Sequence, residues 1–219
     1  MFKMSRITVA LAALVLLVGC SAEADKSESD KIDATPAAAT TAMVGQAAPN
    51  FTLADATGQE HSLADFKGKY VVLEWVNFDC PFVKKHYGAG NMQALQAEYT
   101  GKDVVWLSIC SSAPGKQGHF DGSSLTDRIA AEKSAATAYL IDSNGAVGRL
   151  YDAKTTPHMY VINPKGMLVY AGAIDDKPST KPEDIPGAMN YVKATLDAAM
   201  GGKEVEFAST KSYGCSVKY

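Results

Sequence analysis

Residues 70–87 constrain this chain most: the apolar run Tyr-Val-Val-Leu-Glu-Trp-Val gives way within four residues to Cys80, which Pro81 follows directly. The run is short and rich in Val and aromatic residues, which favours a buried strand over a helix. Proline has no N–H and a fixed φ, so Pro81 suits the first position of a helix. Cys80 is thereby placed at a helix N-cap. Unpaired backbone N–H groups and the positive end of the helix dipole stabilise a thiolate there. Lys84 and Lys85 are expected to add positive potential one turn on. A fall in thiol pKa from about 8.5 to about 6.5 would raise the thiolate share at pH 7 from roughly 3% to roughly 75%. Because nucleophilicity falls with basicity, attack gains only about threefold; the larger gain is a good leaving group and an oxidisable sulfur.

The N-terminus carries Lys3 and Arg6 ahead of the apolar run 7–18, then Gly19 and Cys20. That pattern predicts a lipoprotein signal peptide over residues 1–19 and acylation of Cys20. Residues 20–43 are nearly all Ala, Ser, Thr, Asp, Glu and Lys, and bury too little surface to fold. They are expected to form a flexible tether of roughly 25 Å holding the protein at the cell envelope through its lipid. Ser21 after the lipidated cysteine points to the outer membrane rather than the inner, with the domain facing the periplasm. Removing residues 1–19 leaves 19 Lys and Arg against 24 Asp and Glu, a net charge of −5. Such a balance attracts no nucleic acid. Three further cysteines remain, Cys80, Cys110 and Cys215, enough for one internal disulfide and a spare thiol.

Residues 44–200 read as one α/β domain. After Cys80 the helix is interrupted at Gly88 and Gly90 and restarts with Asn91 as its expected cap. Residues 103–109 form the next strand, parallel to the first because a helical crossover joins them. Cys110 ends it, so Cys80 and Cys110 should leave neighbouring strands on the same edge, where open α/β sheets hold their chemistry. A buried cysteine can equally be a small apolar filler. Residues 111–122 read as a mobile loop, with Ser124 the expected cap of the helix after it. Met189, Val192 and Leu196 mark a last amphipathic helix. Residues 201–219 read as a mobile, polar tail that lets Cys215 reach an oxidised Cys80.

Ala-Pro-x-Phe-x-Leu at residues 48–53, Ser-Leu-x-x-Phe-x-Gly-Lys at 62–69 and Val-Val-Leu at 71–73 resemble the entry of the redoxin group, the alkyl hydroperoxide reductase and thiol-specific antioxidant family. The resemblance implies a thioredoxin-like fold, an α/β mixed sheet flanked by helices, over residues 44–219. It also implies that Thr156-Pro157 is a cis-proline step facing the active cysteine. Two departures matter. Typical peroxiredoxins carry Pro-x-x-x-Thr-x-x-Cys, whereas this chain has Leu73 and Asn77 in the Pro and Thr places and lacks the family's arginine near Pro157. Thioredoxins carry Cys-x-x-Cys, whereas this chain has Cys-Pro-Phe-Val.

The expected site is therefore Cys80 as attacking thiol, Cys215 or Cys110 as its resolving partner, Thr156 and Pro157 opposite, and Asn77 as a partial peroxide-polarising donor. The expected substrate is a small peroxide or a protein disulfide, with a thiol reductant and no cofactor. The competing reading is a copper-binding or partner-binding module without turnover, in which Cys80, Cys110 and His158 or His86 would converge.

Overall fold

The computed structural model describes residues 41–219; the signal segment, Cys20 and the tether as far as residue 40 lie outside the described residues. In chain order the elements are β1 (Thr52–Asp55), β2 (Glu60–Ser62), β3 (Val71–Trp75), α1 (Pro81–Gly88), α2 (Asn91–Thr100), β4 (Val105–Cys110) and α3 (Gly122–Ala131). There follow β5 (Ala138–Ile141), α4 (Ala146–Leu150), β6 (Thr155–Thr156), β7 (His158–Ile162), β8 (Leu168–Gly172), α5 (Tyr191–Met200) and β9 (Cys215–Ser216). Seven strands form one mixed sheet in the order β2-β1-β5-β4-β3-β7-β8, and β6 pairs with β9 in a separate ribbon.

β3 lies inside the sheet, parallel to β4 and antiparallel to β7. Its alternate residues serve two cores. Val72 and Val76 pack with Val83, Tyr87, Met92, Tyr99, Val192 and Leu196 beneath α1, α2 and α5, while Val71, Leu73 and Trp75 pack with Val147, Tyr151 and Tyr160 on the opposite face. A strand covered on both sides reads as a near-continuous apolar run, which is why residues 70–76 show little alternation. The α/β mixed sheet with flanking helices agrees with the thioredoxin-like fold expected.

Several local expectations are corrected. Gly90, at φ +71°, caps α2, and Asn91 is its first residue. Asp121 caps α3, with Ser124 three residues in and its hydroxyl accepting from the Asp121 N–H. Met189 precedes α5 and is 49% exposed rather than part of its packed face. Ala42, assigned to the tether, joins the folded body through its N–H bond to the Leu150 carbonyl at 2.9 Å.

The largest correction concerns residues 201–219, which do not end in a free tail. β9 pairs antiparallel with β6, setting Thr156 opposite Cys215 and Thr155 opposite Ser216. The Val217 N–H donates to the Lys154 carbonyl, and the Ala113 N–H to the Lys218 carbonyl. The Tyr219 hydroxyl donates to the Ala153 carbonyl at 2.8 Å, while Arg149 lies 4.5 Å over its ring. A polar segment needs no core of its own when an open strand edge takes its backbone groups and its few aromatic rings enter niches. One niche exists because residue 148 is glycine: a Cβ there would meet the Tyr219 hydroxyl at 2.5 Å and the Ser111 hydroxyl at 2.7 Å.

Replacing Gly148 with alanine should lower folding stability by about 1 to 3 kcal/mol, the usual cost of overfilling a packed site. Urea unfolding measures this, and an unchanged midpoint would mean that Tyr219 is not seated there.

Candidate active site

Cys80 caps α1 with extended backbone (φ −70°, ψ 127°), and Pro81 opens the helix. Its N–H donates to the Asn77 carbonyl, and its carbonyl accepts the Lys84 N–H, each at 2.9 Å. The strand-to-helix junction thus fixes the backbone on both sides of the sulfur. Sγ lies 3.1 Å from the Thr156 carbonyl oxygen and 2.7 Å from the Cys215 sulfur, with both thiols unbonded. The Thr156-Pro157 bond is cis, and it carries the chain from β6 into β7 across from Cys80.

Burial by itself raises the Cys80 thiol pKa. The Cys215 thiol first, then the Val83 and Cys215 backbone N–H groups and the Thr156 side chain, lie close enough to outweigh it and hold the thiol below its ordinary range. The Val83 amide belongs to the first turn of α1, so the helix N-terminus acts on the sulfur as an N-cap thiolate requires. Cys215 moves the other way. Burial first, and then the neighbouring Cys80, push it up to about 11. The two thiols are therefore shifted in opposite directions, Cys80 being the more acidic of the pair.

Three features differ from expectation. Cys80 is 0% exposed, a member of the core beneath α1 with the Cys215 sulfur of β9 against it. Lys85 is engaged away from the sulfur, its Nζ buried against the Lys177 carbonyl at 2.9 Å and the Asp175 carboxylate at 3.6 Å. The Asn77 amide does not point a donor at the sulfur; it donates to the Gln117 carbonyl at 3.2 Å, and its oxygen accepts the Asp79 N–H. Gly118 packs so closely on that amide that a Cβ would lie 2.4 Å away.

Of the two candidate partners, the fold brings Cys215 and not Cys110 to Cys80. The Cys110 thiol ends β4 and donates to the Gly118 carbonyl at 3.3 Å. The histidines of the copper reading are engaged elsewhere. His158 Nδ1 accepts the Lys154 N–H and lies 3.0 Å from the Tyr160 hydroxyl, while His86 Nδ1 accepts from the Asn91 amide at 2.8 Å. Among the described residues, no three His, Cys, Asp or Glu side chains converge in a set that could hold a metal ion.

Two buried polar groups escaped the sequence reading. Glu74, in the middle of β3, accepts hydrogen bonds from Trp106, Gln96, Ser108 and Tyr87 at 2.8 to 3.0 Å. Burial raises its pKa and these donors partly offset the rise. An acid inside an apolar run was the available signal. Asp175, just after β8, gathers Lys85, His86 and Tyr213 around one carboxylate; nothing local in the sequence marks it.

Comparison with known proteins fits this geometry. Residues 44–171 match the model of the AhpC/TSA family. The chain is 26% identical over 125 residues to thiol-disulfide oxidoreductase ResA of Bacillus subtilis, spanning 57% of this chain and 64% of that protein. It is 30% identical over 139 residues to thioredoxin-like protein YneN of the same organism, spanning 61% of this chain and 74% of the relative. Among solved structures, an uncharacterized conserved protein from Geobacillus kaustophilus superposes with a TM-score of 0.66 at 26% identity, covering 81% of this chain and 92% of that one. A hypothetical protein from Sinorhizobium meliloti gives the same TM-score at 24% identity, covering 82% and 96%.

Burial lowers the His86 and His158 pKa values from 6.5 to about 4, against the opposing pull of Asp175 and Asp152 and with a smaller push from Lys85 and Lys154. The unfolded chain takes up both protons first, so the two imidazoles cost stability progressively as pH falls from 6.5 to about 4. Their ring-proton NMR shifts should keep neutral-imidazole values down to about pH 5; a midpoint at the ordinary histidine value for either would contradict the burial described.

Proposed function

The chain belongs to the AhpC/TSA family, and we propose that it is a thiol-disulfide oxidoreductase in which Cys80 attacks and Cys215 resolves. The observation that carries this reading is the 2.7 Å approach of the two sulfurs, with Cys80 the more acidic. The Cys80 thiolate attacks one sulfur of a substrate disulfide, forming a mixed disulfide and expelling the other half as a thiolate that takes up a proton. Cys80 then carries no charge, so one cause of the raised Cys215 pKa disappears. Cys215 loses its proton and attacks the Cys80 sulfur, which releases the second substrate thiol and leaves a Cys80–Cys215 disulfide. The substrate gains two electrons and the protein loses two. An external dithiol restores the pair.

A disulfide suits this site better than a peroxide. Polarising a peroxide O–O bond needs donors aimed beside the sulfur, whereas the Asn77 amide is committed to Gln117 and Arg128 to Asp79, Glu132 and the Phe78 carbonyl. A peroxide could still convert Cys80 to a sulfenic acid, releasing the alcohol or water, with Cys215 condensing on it to expel water. That reaction is the slower one in this reading. Cys110 serves as core, not as the resolving thiol. Through a lipid on Cys20 the domain works at the cell envelope, facing the periplasm and tethered to the outer membrane.

Cys80→Ser should abolish reduction of a disulfide-bonded protein by the dithiol-charged enzyme. Cys215→Ser should instead accumulate a mixed disulfide on Cys80 that mass spectrometry detects. Turnover surviving Cys80→Ser, or a trapped substrate on Cys110, would sink the assignment. Hydrogen peroxide consumption faster than protein-disulfide reduction would favour the peroxidase reading instead.

A further inference from the structure

A buried polar cluster meets the chain at Tyr213, two residues upstream of Cys215, and includes side chains of the helix that Cys80 caps. Lys85 and His86 lie in the second turn of α1, both buried. The Asp175 carboxylate, with 2% of its side chain exposed, stands 3.6 Å from the Lys85 ammonium and 3.8 Å from His86 Nε2. Its other oxygen accepts the Tyr213 hydroxyl and, at 3.0 Å, the Lys177 N–H. The Tyr213 ring packs 5.8 Å from Phe82 and 5.9 Å from the Lys85 ammonium, both side chains of α1.

Gly214 connects this cluster to Cys215. Its φ is +137°, and a Cβ would sit 2.1 Å from the Thr156 carbonyl oxygen, the same oxygen that faces the Cys80 thiol. Between Tyr213 and Cys215 the backbone therefore has one narrow passage. A hydrogen bond to a buried charged carboxylate is stronger than a neutral one, and breaking it takes one donor from an acid that no water can reach. The β9 pairs and the Val217, Lys218 and Tyr219 bonds hold the chain at and beyond Cys215, and the Tyr213 hydroxyl holds it just before.

We propose that Asp175 and Tyr213 are positioning residues: their bond clamps the Cys215 segment to α1 and sets the resolving sulfur against Cys80. The proposal rests on the thiol-pair reading above. Neither residue touches a reacting atom. Their effect is on the effective concentration of one thiol at the other, which governs how readily the pair closes to a disulfide.

The test uses the full chain with Cys20 and Cys110 replaced by serine, equilibrated in mixtures of reduced and oxidised glutathione. The reaction converts two protein thiols and one glutathione disulfide into one protein disulfide and two glutathione thiols. Its equilibrium constant is the effective concentration, read by quenching and mass spectrometry. Tyr213→Phe keeps the ring and removes the hydroxyl; it and Asp175→Asn should each lower that constant at least about tenfold. Tyr70→Phe, which removes a comparable hydroxyl bond to the Ala199 carbonyl at the opposite end of β3 from Cys80, should stay within about twofold. Tyr213→Phe should also raise the alkylation rate of Cys215 in the reduced protein by at least about tenfold. Should Asp175→Asn fail to fold, these two readings on Tyr213→Phe decide the matter. If that variant loses thermal stability while both readings match the parent, the cluster is merely structural and the clamp is refuted. If the parent itself never forms a Cys80–Cys215 disulfide at any glutathione ratio, the thiol-pair reading fails and the clamp falls with it.

Discussion

The contact between the Cys80 and Cys215 sulfurs depends on one constraint: a strand buried on both faces must stop, and a helix must begin, within a few residues of an edge that another strand can cover. Pro81 supplies the start of the helix without leaving an N–H unsatisfied, and the Asn77 and Lys84 backbone bonds hold the turn. β6 then offers an open edge beside the cis Thr156-Pro157 bond, and β9 takes it. Remove either half and the sulfurs have no reason to meet.

Burial and acidity usually conflict at a cysteine, because a charge taken out of water raises the thiol pKa. Here the same segment that removes water also replaces it. β9 covers Cys80 while contributing the Cys215 thiol and N–H as donors, and α1 adds the Val83 amide. The cost of enclosure is offset by fixed dipoles, so a sulfur with no exposure remains more acidic than its partially exposed neighbour.

Polar groups elsewhere in the interior follow the same rule of satisfied burial. Glu74 brings a carboxylate into the layer between sheet and helices, and four side-chain donors from β4, α1 and α2 close around it. Asp175 does this between α1 and the C-terminal segment. Each network ties distant stretches of chain together through one acid, and each would be costly if half assembled.

The sequence by itself determined the elements around the reactive thiol. The apolar run 70–76, the proline after Cys80 and the helical crossover to residues 105–110 follow from local sterics and periodicity, and so did the α/β class. Local caps slipped by a few residues, at Asn91 and Ser124, because Gly90 and Asp121 compete for the same helix ends. What only the tertiary structure decided is where the other thiols and charges go. Cys215 stood as the expected partner with Cys110 as the alternative, and Lys85 as a contributor to the thiolate. The fold turned Cys110 to the Gly118 carbonyl and Lys85 to Asp175. It also gave the polar C-terminus a strand edge and two aromatic niches. The physical reason is that, apart from the Cys110 bond to Gly118 eight positions on, these contacts join residues 38 to 135 positions apart. Their geometry is set by what the sheet leaves open, which no local pattern encodes.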